Sequence, residues 1–229
     1  LLTRAALALS SKAGDDSNII AAQRLLAGLY RDLGNFAKAE KHLQIAVTRA
    51  ETCDLAVEQV LCHLSSGWHH YTRAALDGDL PMEAEAAFRL AVALARKLFL
   101  PDQAAETCLG FIWCSLLKRD SAGAERSLDE YQQEYAGIEH YSLSAMSKLA
   151  SARVAHALGR TCAIASYDEA RVFAQHHGEL GCESDAWAGA GMVHWHAGFR
   201  SEAEECFRAA IRCARRCSPT RKLLVLCSV

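Results

Sequence analysis

The stretch Leu26-Ala27-Gly28-Leu29-Tyr30-Arg31-Asp32-Leu33-Gly34-Asn35-Phe36-Ala37-Lys38-Ala39 decides the fold. An apolar helix ends at Gly34, which lacks a Cβ and enters the left-handed conformation that closes a helix. Phe36 begins a second helix, and small Ala39 lets it approach the first closely. Leu43, Ala46, Val47 and Ala50 continue the apolar stripe at helical spacing. The unit is a helix hairpin.

The same unit returns near the end of the chain. Gly191 and Gly198 precede Phe199, and Ala203, Phe207, Ala210 and Ile211 repeat the offsets of Ala39, Leu43, Ala46 and Val47. Weaker copies lie between them. Gly78 is followed by Ala84, Phe88, Ala91 and Val92, and Gly159 by Ala163, Tyr167 and Ala170. Ala124, Leu128 and Tyr131 form a further copy without a turn glycine. The small residue of each second helix falls at Ala39, Ala84, Ala124, Ala163 and Ala203, at intervals of 45, 40, 39 and 40. A near-constant period marks stacked units, none of which covers its apolar face alone.

Composition agrees. The 229 residues include 42 Ala and 29 Leu against 9 Val and 7 Ile, a ratio that favours helix over strand. Only Pro81, Pro101 and Pro219 interrupt. The expected fold is all-α, an α-α solenoid of about five hairpins at 18–53, 55–98, 102–136, 141–177 and 181–217. Residues 1–17 are read as the last helix of a preceding hairpin, and residues 218–229 as a capping or following helix. The opening Leu1-Leu2-Thr3-Arg4 has neither an initiator Met nor a cationic leader, so a longer chain is expected.

These residues resemble the tetratricopeptide repeat family, most closely in the first and fifth hairpins. The period departs from the family's usual 34 residues, so each helix is expected to be about a turn longer. Long-period repeats of this kind resemble those of kinesin light chains, spindle-orientation adaptors and the regulatory halves of bacterial signalling proteins. The resemblance implies a concave face lined by the first helix of each hairpin. Carried over, the family's groove positions fall at Arg24, Gly28 and Arg31, then at Trp68, Thr72 and Ala75. The later hairpins contribute Leu109, Trp113 and Leu116, then Leu149, Arg153 and His156, then Ala188, Met192 and Trp195. Trp187 falls on a packing position between paired helices.

Three tryptophans therefore stand at groove positions, where Trp and Arg dominate binding energy. The alternative is that longer helices curl more tightly and bury them against the next repeat. Trp113→Ala or Arg153→Ala discriminates: a groove residue weakens partner binding, whereas a core residue costs the thermal transition. Gly28 stands where a carboxylate-clamping member of the family has Asn, which disfavours chaperone tails as ligands. Arg24, Arg31 and Arg153 among aromatics suit a peptide or helix with apolar anchors and some acidic character.

Other chemistry is excluded or weak. A net charge of −2 disfavours general nucleic-acid binding. No apolar run is long enough for membrane insertion. Nucleotide-binding loops, Ser/His/Asp orderings and H-E-x-x-H are missing, so no enzyme and no cofactor is expected. Adjacent histidines in His69-His70, His176-His177 and His194-Trp195-His196 point to different sides of a helix and cannot chelate an ion by themselves. No metal site is expected. The ten cysteines are irregularly spaced and read as buried thiols of a reducing, cytoplasmic compartment. Cys206, Cys213 and Cys217 share one helical stripe, read as a packed interface.

The leading expectation is a non-enzymatic scaffold that binds a partner protein segment. A second is a regulatory or sensor domain of a bacterial transcription regulator or signalling protein, self-associating and controlling an effector domain elsewhere.

Overall fold

The structure, a computed structural model, describes residues 14–135 and 137–217. The helix expected at the start, apart from residues 14–17, and the cap expected at 218–229 lie outside these. The described residues form ten α-helices and no strand. They are α1 (Asp16–Asp32), α2 (Phe36–Thr52), α3 (Ala56–Asp77), α4 (Met82–Lys97), α5 (Pro101–Leu117), α6 (Ser121–Tyr135), α7 (Tyr141–Ala157), α8 (Ala163–His177), α9 (Leu180–His196) and α10 (Arg200–Cys217). Consecutive helices pack in pairs, so the fold is an all-α helical repeat of hairpins. The chain divides into two compact units, Leu1–Gly110 and Phe111–Val229, with the division falling inside α5.

One kind of turn recurs. The Gly34 N–H donates to Arg31 O and the Asn35 N–H to Tyr30 O, both at 2.8 Å. That pair of bonds satisfies carbonyls the helix end leaves open, and it needs a left-handed residue at position 34, where φ is 75°. The hairpin without a turn glycine makes the same turn with Arg119, at φ 60°. Its N–H donates to Leu116 O at 3.0 Å, and that of Asp120 donates to Ser115 O at 2.9 Å. Asp54 and Phe99 take the left-handed position between hairpins. The side chains of Asp15 and Asn35 cap the first turns of α1 and α2 by accepting from the Asn18 and Lys38 N–H groups.

The recurring alanines mark where paired helices touch. Ala39, Ala84, Ala124, Ala163 and Ala203 are all buried. Aromatic rings drive into the neighbouring helix at positions that only glycine can vacate. Phe88 of α4 lies against Gly67 of α3 on one side and Gly110 of α5 on the other. A Cβ at Gly110 would sit 2.6 Å from the ring, and one at Gly67 closer still. Gly191 of α9 accepts Phe207 of α10 in the same way, with 2.6 Å to a notional Cβ, and Gly189 accepts Tyr167 of α8. Burying a ring of this size contributes about 2–3 kcal/mol, so these sockets carry much of the packing between successive helices.

Candidate functional site

In the first unit a cleft of about 340 Å³ is lined by Arg24, Leu25, Ala27, Gly28, Leu29, Arg31 and Asp32 of α1, Leu43 of α2, and Ser65 and His69 of α3. Helical spacing gathers the α1 residues, since positions three and four apart share a face. The three groove positions of the first hairpin, Arg24, Gly28 and Arg31, thus come together. Gly28 has open space where a Cβ would stand, so it keeps the cleft wide. Leu25 and Leu29 are 63% and 51% exposed, a large apolar presence beside two guanidinium groups. The Arg24 Nε lies 3.9 Å from Glu58 Oε2 without a hydrogen bond, and Arg31 pairs with Asp32 at 3.4 Å. The α1 face is held by a 2.6 Å hydrogen bond between Gln23 and His42 and by Tyr30 stacked on His42 at 5.3 Å.

In the second hairpin two of the groove positions, both half-buried, make contacts within the first unit. The Trp68 Nε1–H donates to Glu106 at 2.8 Å, and its ring meets Phe88 edge-on at 5.3 Å. The Thr72 hydroxyl donates to the Trp68 carbonyl at 2.7 Å. Trp68 is half-buried and held by both ends, which suits an anchored core edge more than a free binding face.

In the second unit Trp113 is 5% exposed, as the core alternative has it, and the groove assignment is corrected there. The physical reason is Arg153, whose guanidinium covers the ring 4.4 Å from its centre. Arg153 also pairs with Asp185 at 3.3 Å, so it is committed to its neighbours. Leu149 and Ala188 are buried too, as is Leu109 of the first unit, while Leu116 and Met192 are half-buried. The His156 ring meets Tyr167 and His196 at 6.0 and 5.9 Å, and burial, then His196, then Arg153 hold its pKa below the ordinary 6.5. Trp195, at 47% exposed, is open to solvent, with the Arg200 guanidinium 3.5 Å above its ring. Trp187 packs beside Ala188, Ala210 and Ala214, with the Arg171 guanidinium 4.6 Å from its ring centre.

No family model matches the chain, and no curated protein sequence matches it. The fold has a solved counterpart. The crystal structure of BtubC (BKLC) from P. vanneervenii is similar with a TM-score of 0.65, over 93% of this chain and 89% of that one, at 17% sequence identity. That likeness is one of fold.

Two chemical findings differ from the sequence reading. Cys162 and Cys217 are exposed, so the thiols are not uniformly buried, and the stripe of Cys206, Cys213 and Cys217 is packed only at its first two members. Cys217 sits in the final described turn of α10, where no later helix residue among those described covers it. The histidine pair on α3 also acquires a third group. Glu40 of α2 brings a carboxylate to His69 and His70, and ligand atoms of all three lie within 4.8 Å of one another. Adjacency on one helix says nothing of Glu40, 29 positions earlier (69 − 40) on another helix.

Proposed function

We propose that the chain is a tetratricopeptide-like, non-enzymatic interaction scaffold of the cytoplasm, which holds a helical or extended segment of a partner protein in the α1–α3 cleft. The observation that carries this reading is the juxtaposition of exposed Leu25 and Leu29 with Arg24 and Arg31 around Gly28. Apolar side chains of a ligand gain about 25 cal/mol per Å² by covering the leucines, and carboxylates gain charge-assisted hydrogen bonds to the guanidinium groups. The ligand is therefore an amphipathic segment with leucine-like anchors and acidic residues three or four positions away. No helix among the described residues is long and apolar enough to cross a membrane.

The test is selection from a displayed library of amphipathic helical peptides, followed by affinity measurement by fluorescence anisotropy. Acidic, leucine-bearing peptides should be enriched, and their binding should weaken as salt rises. Arg24→Glu with Arg31→Glu should abolish that binding, and Gly28→Trp should block it by filling the cleft. Enrichment of basic peptides, or binding that survives all three substitutions, would sink the reading.

A further inference from the structure

We propose that Glu40, His69 and His70 form a binding site for one divalent transition-metal ion of the zinc class, linking α2 of the first hairpin to α3 of the second. The geometry comes first. His69 Nε2 lies 3.0 Å from Glu40 Oε2, and ligand atoms from the three residues lie within 4.8 Å of each other. Zinc bonds of ~2.0–2.1 Å in tetrahedral array place ligand atoms ~3.3 Å apart. The Glu40–His69 separation already fits. The remaining closure is a side-chain movement at Glu40, which is half-exposed and able to turn.

A second observation is independent of the spacing. His69 is 1% exposed; its Nε2 faces the Glu40 carboxylate, and its Nδ1 is buried without a hydrogen bond. Glu40 Oε2 and His70 Nδ1 are buried as well, facing His69 Nε2 and Glu83 Oε2 at 3.0 Å without the alignment of a hydrogen bond. Buried polar atoms are nearly always satisfied by well-aligned partners, and an unmade bond is costly. A cation bound through one nitrogen of each ring and the Glu40 carboxylate would give this buried cluster a partner of better geometry than its present contacts make.

The electrostatics allow it. A metal requires neutral imidazole, and burial, aided by His70, Arg31 and Arg73, pushes His69 down to about 4. The nearby guanidinium groups are themselves paired, Arg73 with Glu83 and Arg31 with Asp32. Glu83 of α4 also stands 3.0 Å from His70 Nδ1, a carboxylate placed to orient that ring. Two imidazoles and one carboxylate select zinc-like ions over calcium or magnesium, which take all-oxygen shells. Three protein ligands leave one tetrahedral position for water.

The test uses the tag-free, metal-stripped chain, titrated calorimetrically with zinc and, separately, with cobalt(II) while the visible spectrum is recorded. One ion should bind per chain, cobalt should show the intense bands of tetrahedral coordination, and zinc should raise the melting midpoint. Glu40→Gln and His70→Gln should each weaken binding roughly tenfold or more and remove the thermal shift. Glu40 is exposed enough for its variant to fold, which circular dichroism verifies. His176→Gln with His177→Gln should leave binding intact. Absence of binding to the native chain overturns the proposal. So does undiminished binding by the Glu40 and His70 variants, or loss of binding in the His176/His177 variant.

Discussion

The Arg153 guanidinium lies over the face of the Trp113 ring, 4.4 Å from its centre, and pairs with Asp185 at 3.3 Å. This closes the ring off from solvent and turns two groove candidates into a packed unit joining α5, α7 and α9. Trp113→Ala should therefore cost about 3–5 kcal/mol by leaving a large cavity. Arg153→Ala should cost less, about 1–2 kcal/mol, from one stacked cation and one ion pair. Urea denaturation measures both. A Trp113→Ala chain as stable as the native one would return the tryptophan to a binding role.

Two glycines in helix interiors should respond to alanine with opposite signs. Ordinarily such a change stabilises a helix by up to about 1 kcal/mol. Gly28→Ala meets open space and should follow that rule. Gly67→Ala meets the Phe88 ring, itself backed by Gly110, and should destabilise by about 1–3 kcal/mol. Thermal midpoints of the two variants decide the matter; a rise in both would mean that Phe88 can move aside.

Acid should weaken the second unit through His156. Its pKa is lowered in the folded chain by burial, then by His196 and Arg153, with the Tyr167 hydroxyl also facing the ring. The unfolded chain therefore binds the proton first. The stability this contributes is complete above about 6.5 and is lost as pH falls through that value toward the lower folded one. His63 and His69 are shifted the same way. The comparison that isolates the effect is the native chain against His156→Gln, by denaturant midpoint between about pH 7.5 and 5.5. Parallel declines would exclude the assignment.

Thiol reactivity should follow exposure closely. Cys162 and Cys217 are open and should alkylate fast. Burial pushes the Cys62 thiol up to about 12 and the Cys213 thiol to about 11, and raises Cys206 as well. Those three should label only on unfolding. Mass-spectrometric mapping of labelled peptides reads each site separately. Rapid labelling of Cys213 beside Cys217 would show that the end of α10 opens.

The hairpin pattern was legible because it is local. Gly34 and Ala39 belong to one turn and one helix, and their spacing is imposed by helical geometry. The fold class follows from repeating that unit. Site chemistry was legible only where it too is local, as with Arg24, Gly28 and Arg31 on one face of α1. Trp113 was not, because the residues that bury it stand 40 and 72 positions later (153 − 113 and 185 − 113). Glu40 escaped for the same reason, since nothing in α3 reports which side chain faces it from α2. The exposure of Cys162 and Cys217 likewise depends on what neighbouring elements cover.

Arg119 carries one more consequence. The corner it makes has the same two backbone bonds as the corner at Gly34, so the bend is written in N–H and C=O groups that every residue but proline possesses. A chain built on such corners can exchange its marker glycines one at a time, each for about 1 kcal/mol, while its path through space stays put. Letter-by-letter comparison then loses the thread long before superposition does.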